Sequence, residues 1–108
     1  MKLKIKTRGV IVHRELLDKV ERMIRAGLGR FEHSVQRAEL TVEDINGPRG
    51  GIDKVARLQV AGRGFPPILI EQSDREVGRA VTFAVERAAR TLVRALKRAQ
   101  GMMHPARG

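Results

Sequence analysis

From Asp74 to Ala99 the sequence holds one unbroken helical period, and the rest of the chain must supply a surface for it. At 100° per residue, Val77, Val81, Ala84, Val85, Ala88, Leu92, Ala95, Leu96 and Ala99 share an arc about 120° wide. A helix over 74–99 is roughly 40 Å long at 1.5 Å per residue. Small residues on its apolar side (Ala80, Ala84, Ala88, Ala95) allow close approach to a sheet. Ser73 followed by Glu76 fits a capping box, and Asp74 adds negative charge at the helix start. The opposite arc holds Arg75, Arg79, Arg87, Arg90, Arg94, Lys97 and Arg98, interrupted only by Glu76 and Glu86.

The preceding residues alternate between two periods. Residues 2–8 have the two-residue period of a half-buried strand, with Leu3, Ile5 and Thr7 on one side and Lys2, Lys4, Lys6 and Arg8 on the other. Residues 14–31 switch to a helical period through Leu16, Leu17, Val20, Met23, Ile24, Leu28 and Phe31, with Gly27 and Gly29 predicting a stop near the end. The other face of this helix mixes signs, as an ordinary solvated surface does. Residues 35–44 alternate again, with Gln36, Ala38, Leu40, Val42 and Asp44 on one side and Val35, Arg37, Glu39, Thr41 and Glu43 on the other. Asn46-Gly47-Pro48-Arg49-Gly50-Gly51 is a turn cluster and predicts a hairpin. Strand character resumes over 53–61, breaks at Gly62–Pro67 and returns at Ile68–Ile70. The fold class is therefore α+β in the order β-α-β-β-β-α, a four-stranded sheet with two helices packed on one face. Residues 1–100 form one domain, and 101–108 are expected to be a flexible tail.

Composition narrows the function. The chain has 108 residues, no Cys, and 22 Lys plus Arg against 12 Asp plus Glu, a net charge of +10. Disulfides and thiolate chemistry are excluded. A hydrophobic content of 42% is too high for a disordered polycation. No apolar run approaches the roughly 20 residues of a membrane span, and the charged N-terminus lacks a signal-peptide apolar region, so a cytoplasmic protein is expected.

Catalysis is not expected. Ser34 and Ser73 are the only serines, and His13, His33 and His104 are not spaced to serve them or to hold a metal. Glu43 and Asp44 are strand neighbours on opposite faces and are expected to be solvated. Neither Gly62-Arg63-Gly64 nor Gly50-Gly51 fits a phosphate-binding loop. No cofactor and no small-molecule substrate are expected. The excess of Arg on the last helix instead points to a polyanion, because guanidinium groups take phosphate oxygens bidentately. The candidate nucleic-acid contacts are Arg79, Arg87, Arg90, Arg94, Lys97 and Arg98, with Lys4, Lys6 and Arg8 as an extension. Six phosphate contacts predict a log–log salt slope of roughly −4 to −5. Membrane binding by this helix is disfavoured, since its Ala- and Val-rich arc suits burial against a sheet. Phe31, Phe65 and Phe83 all lie outside the predicted strands, so base stacking on the sheet is not expected. Phe83 falls inside the cationic arc, where it suits either a protein contact or a base or ribose contact. A general RNA- or DNA-binding domain and a module docking an acidic protein are the alternative functions.

Order and spacing resemble the ribosome hibernation-promoting factor family, also called ribosome-associated inhibitors, over roughly residues 2–98. Leu28-Gly29-Arg30-Phe31 and Leu40-Thr41-Val42-Glu43 are similar to the family's L-E-R-F and L-x-V-E. Glu86-Arg87-Ala88-Ala89-Arg90-Thr91-Leu92-Val93-Arg94 is similar to its D-K-L-x-x-Q-L-x-K, and Asp74 stands where the family is acidic. Gly78-Arg79-Ala80-Val81-Thr82 replaces its Y-x-A-I-D, without the aromatic and the acid. The resemblance implies binding to the small ribosomal subunit and its ribosomal RNA, in the channel used by messenger and transfer RNA. It implies translational silencing by occupancy in stress or stationary phase. Arg87, Arg90 and Arg94 would be phosphate clamps by match of position. Longer members pair ribosomes through a further C-terminal domain, so pairing is not expected of a chain ending at Gly108.

Overall fold

The computed structural model describes residues 1–45 and 53–103. Strand β1 (Lys2–Arg8) is followed by helix α1 (Arg14–Leu28) and one 3-10 turn (Gly29–Phe31). Strands β2 (Val35–Asp44), β3 (Lys54–Gly62) and β4 (Ile68–Asp74) come next, and helix α2 (Val77–Met103) closes the order. The sheet runs β1-β2-β3-β4. β1 is parallel to β2 through the α1 crossover, while β2, β3 and β4 are antiparallel neighbours. This is the expected α+β fold with two helices. The predicted hairpin turn Asn46–Gly51 and His104 lie outside the described residues.

Register explains the core. Ile5, Leu40, Leu58 and Ile70 stand side by side across all four strands, and Leu3, Ala38, Val60 and Ile68 form the next row. These rows and α2 residues Val77, Ala80, Val81, Ala84, Val85, Ala88 and Leu92 belong to one apolar cluster. α2 lies over β3 and β4, and α1 packs beside α2, contributing Val20, Ile24 and Leu28. The buried series on α2 stops at Leu92, and Ala95, Leu96 and Ala99 are half-buried.

Three sequence expectations are corrected. Val35 is buried, not on the outer side of β2, because the register shifts between Val35 and Arg37. The bulge brings Val35 onto the core side together with Ala38. The expected stop near Gly27 and Gly29 is met, since α1 ends at Leu28 with Gly29 as C-cap, but Gly27 has a second part that its own helix does not show. A Cβ there would overlap Val85 Cγ1, so glycine permits the two helices to touch. β4 continues four residues past Ile70, with Ser73 paired to Val55. Ser73 is therefore no helix cap. Asp74, the last residue of β4, accepts the Glu76 N–H on Oδ2 at 2.9 Å in a turn that leads into the helix, and the first helical bond, from Ala80 N–H to Glu76 O, makes Glu76 the N-cap residue. Finally, α2 runs to Met103, beyond Ala99.

The carboxylates around β2 and β3 are paired, not merely solvated. Glu43 accepts from Arg57 at 2.7 Å, and Asp44 lies 3.4 Å from Lys54 Nζ. Asp53 is buried at 1% exposure, with Oδ2 2.9 Å from the same ammonium. The Asp53 carboxylate beside this ammonium, reinforced by Asp44, raises the Lys54 pKa above its ordinary value. The Ile45 N–H donates to Asp53 O at 2.9 Å, so this cluster fixes the start of β3 against the end of β2.

Candidate nucleic-acid interface

The outer side of α2 is set by its inner side. Because Ala84, Ala88 and Leu92 face the sheet, Arg79, Arg87, Arg90, Arg94, Lys97 and Arg98 must face away, and all six are exposed. They extend along roughly 30 Å of helix axis. Their charges are not equally available. Arg79 Nε lies 3.6 Å from Asp74 Oδ1, so the residue that closes the turn into the helix also offsets its first cation. Arg87 Nη1 donates to Glu71 O and Gln72 Oε1, both at 2.9 Å. Those acceptors are neutral, so Arg87 is anchored over the edge strand with its charge uncompensated. Arg94 Nε reaches only the Arg90 carbonyl, at 3.5 Å. Among the described residues, Arg90, Arg94, Lys97 and Arg98 make no ion pair.

A shallow cleft continues this surface toward β4. Pro66, Pro67 and Leu69 form one wall, and Thr91, Arg94 and Arg98 form the other. Leu69 is exposed. The cationic arc therefore wraps from the back of α2 down to the sheet edge.

Lys4, Lys6 and Arg8 stand elsewhere. Leu3 and Ile5 pack on the core, so the cationic row of β1 points to the open face of the sheet, away from both helices. Lys6 Nζ lies 3.2 Å from Glu39 Oε1. Further across that face, Arg57 bridges Glu43 at 2.7 Å and Glu71 at 2.6 Å, and these bonds raise its pKa. The structure therefore does not join the β1 row to the α2 arc. Sequence reasoning passed over Arg37, which is exposed and stands beside Lys2 in the register. The alternation of β2 had already placed it on the outer side.

Among the described residues, no group of three or more His, Cys, Asp or Glu is placed to hold a metal ion. No described helix is long and apolar enough to cross a membrane. Phe31 lies under the Arg30 guanidinium, 4.8 Å from the ring centroid, and packs against the core. Phe83 is different: it is 37% exposed, outside the core cluster, with the Arg79 guanidinium 5.9 Å from its centroid.

No known sequence family matches the chain, and no curated protein matches it. Solved structures do share its fold. The N-terminal domain of Protein Y from Thermus thermophilus superposes with a TM-score of 0.69 at 23% identity, over 87% of this chain and 98% of that one. A ribosomal subunit interface protein from Coxiella burnetii superposes with a TM-score of 0.69 at 12% identity, over 87% of this chain and 96% of that one. At such identities the likeness is one of fold: the β-α-β-β-β-α arrangement is that of these two proteins.

Proposed function

We propose that the chain is a ribosome-binding protein that silences translation by occupying the messenger and transfer RNA channel of the small subunit. The observation that carries this reading is the uncompensated cationic side of α2, displayed on a fold shared with a ribosomal subunit interface protein. Arg87, Arg90, Arg94, Lys97 and Arg98 grip ribosomal RNA phosphates, with Arg79 weakened by Asp74. Phosphate contacts position a protein without reading sequence, so selectivity comes from the shape of the RNA surface. Lys4, Arg8 and Arg37 act on the opposite face as a lesser contact. The protein works in the cytoplasm, by occupancy, without a cofactor.

The test is co-sedimentation with isolated small subunits and whole ribosomes, repeated with messenger and transfer RNA bound. Saturable binding near one copy per small subunit, lost when the channel is filled, is expected. Unlimited binding that those ligands do not displace would leave a general nucleic-acid binder. A complex that survives nuclease treatment and contains no RNA would leave an acidic protein as the partner.

A further inference from the structure

Phe83 is the one large apolar side chain that the sequence places on the cationic arc, and the fold does not bury it. Its neighbours on the helix surface are Arg79 one turn before, Glu86 and Arg87 one turn after and Arg90 two turns after, so three cations and one acid surround it. Arg79 is held near the ring from one side and near Asp74 from the other. Arg87 is fixed by two hydrogen bonds to β4. The ring thus stands among guanidinium groups, two of them already positioned.

An apolar protein partner fits this place poorly. Covering the ring would strip water from Arg79, Arg87 and Arg90 without giving them countercharge, which is costly. An unpaired nucleotide offers both halves of the match, a flat π face for the ring and a phosphate for the arginines. Bases within a duplex present no free face, so the ligand must be single-stranded, a bulge or a loop.

We propose that Phe83, flanked by Arg79, Arg87 and Arg90, is a stacking platform for one unpaired RNA base. The proposal rests on RNA being the partner of α2 and adds a base contact to the phosphate contacts. It gives the arc a preference for exposed bases that charge alone does not supply.

The experiment uses the absence of Trp and Tyr from the chain, which makes Phe83→Trp a single fluorophore at the site. The probes are a twelve-nucleotide oligoadenylate, an abasic oligomer of the same length, and isolated small subunits. Stacking is expected to quench the indole fluorescence of the Phe83→Trp variant saturably with the oligoadenylate and not with the abasic oligomer. Phe83→Ala is expected to weaken oligoadenylate and subunit binding about five- to 150-fold, and to leave the salt slope unchanged. Alanine favours the helix, so circular dichroism of this variant should match the wild type. Equal affinity of wild type and Phe83→Ala for both probes overturns the platform while leaving subunit binding standing. Quenching by oligoadenylate without any subunit binding supports the platform and removes the ribosome reading. A dimer in sedimentation equilibrium that Phe83→Ala dissolves overturns the proposal in favour of self-association.

Discussion

Replacing Arg90 and Arg94 together by Gln should flatten the salt dependence of small-subunit binding by an amount the structure sets. Five cations on α2 have no ion-pair partner among the described residues: Arg87, Arg90, Arg94, Lys97 and Arg98. Arg79 is discounted because Asp74 lies 3.6 Å away and would have to be displaced. If each of the five neutralises one phosphate, the log–log slope is about −3.5 to −4.5. Between 50 and 200 mM salt that is a loss of about 100- to 500-fold in affinity. Removing two cations brings the slope to about −2.1 to −2.7 and the loss to about 20- to 40-fold. Both side chains are exposed and only a 3.5 Å bond to a carbonyl links them, so thermal unfolding should change by less than about 0.5 kcal/mol. Arg22→Gln, on the mixed-charge outer face of α1, is the control and should leave the slope in place. The assay is equilibrium binding to labelled small subunits over that salt range. An unchanged slope for the double variant, or an equal change for Arg22→Gln, refutes the assignment of the contact to α2.

Glu86→Gln removes the acid in the middle of the arc, which makes no ion pair among the described residues, and should tighten subunit binding in the same titration, more at low salt than at high. Gly27→Ala gains up to about 1 kcal/mol in helix propensity but drives a methyl into Val85, for a net loss of up to about 2 kcal/mol in urea unfolding; adding Val85→Ala should cost less than the two single losses together. Lys54→Met leaves buried Asp53 without its ammonium and should lower the unfolding midpoint, with partial recovery in Lys54→Met/Asp53→Asn. Because the Lys54 pKa is raised from 10.5, its contribution is complete below that pH and is lost as pH rises through the raised value, so a stability decline on this account should appear in alkaline titrations of the wild type and vanish in Lys54→Met.

The features that could be read from the sequence share one property: they depend on spacing within a single element. Alternation over 2–8 and the helical arc of α2 each commit a face without knowing the neighbour, and register then places Ile5, Leu40, Leu58 and Ile70 in one row. What was misread or left unseen depends on a second element. Gly27 stands at the end of α1 as its sequence predicts, but its close approach to Val85 shows only when α2 is beside it. Val35 breaks its alternation only because β3 ends at Gly62, where a Cβ would overlap Ser34 O. Ser73 fits a capping box by spacing, yet pairing with Val55 claims it for β4 and leaves Asp74 to close the turn into the helix.

The same distinction governs the charges. Counting cations favours α2, with six against four on the β1 row, and sheet pairing supplies neighbours that a helix surface does not. On the open sheet face Glu71 compensates Arg57 directly across the strands, and Glu39 and Glu43 reach Lys6 and Arg57 from diagonal positions. On α2 the positions one turn from Arg90 are Glu86 and Arg94, and Arg90 makes no ion pair among the described residues. Among the described residues, Lys2, Lys4, Arg8 and Arg37 also make no ion pair, but they share their face with three acids, whereas on the helix side Arg87 is already fixed by the sheet edge and Phe83 is already exposed. A polyanion approaching α2 meets five cations without ion pairs on one helix, against Lys2, Lys4, Arg8 and Arg37 on a sheet face that also carries Glu39, Glu43 and Glu71, so the choice of α2 over β1 follows from number and pairing together.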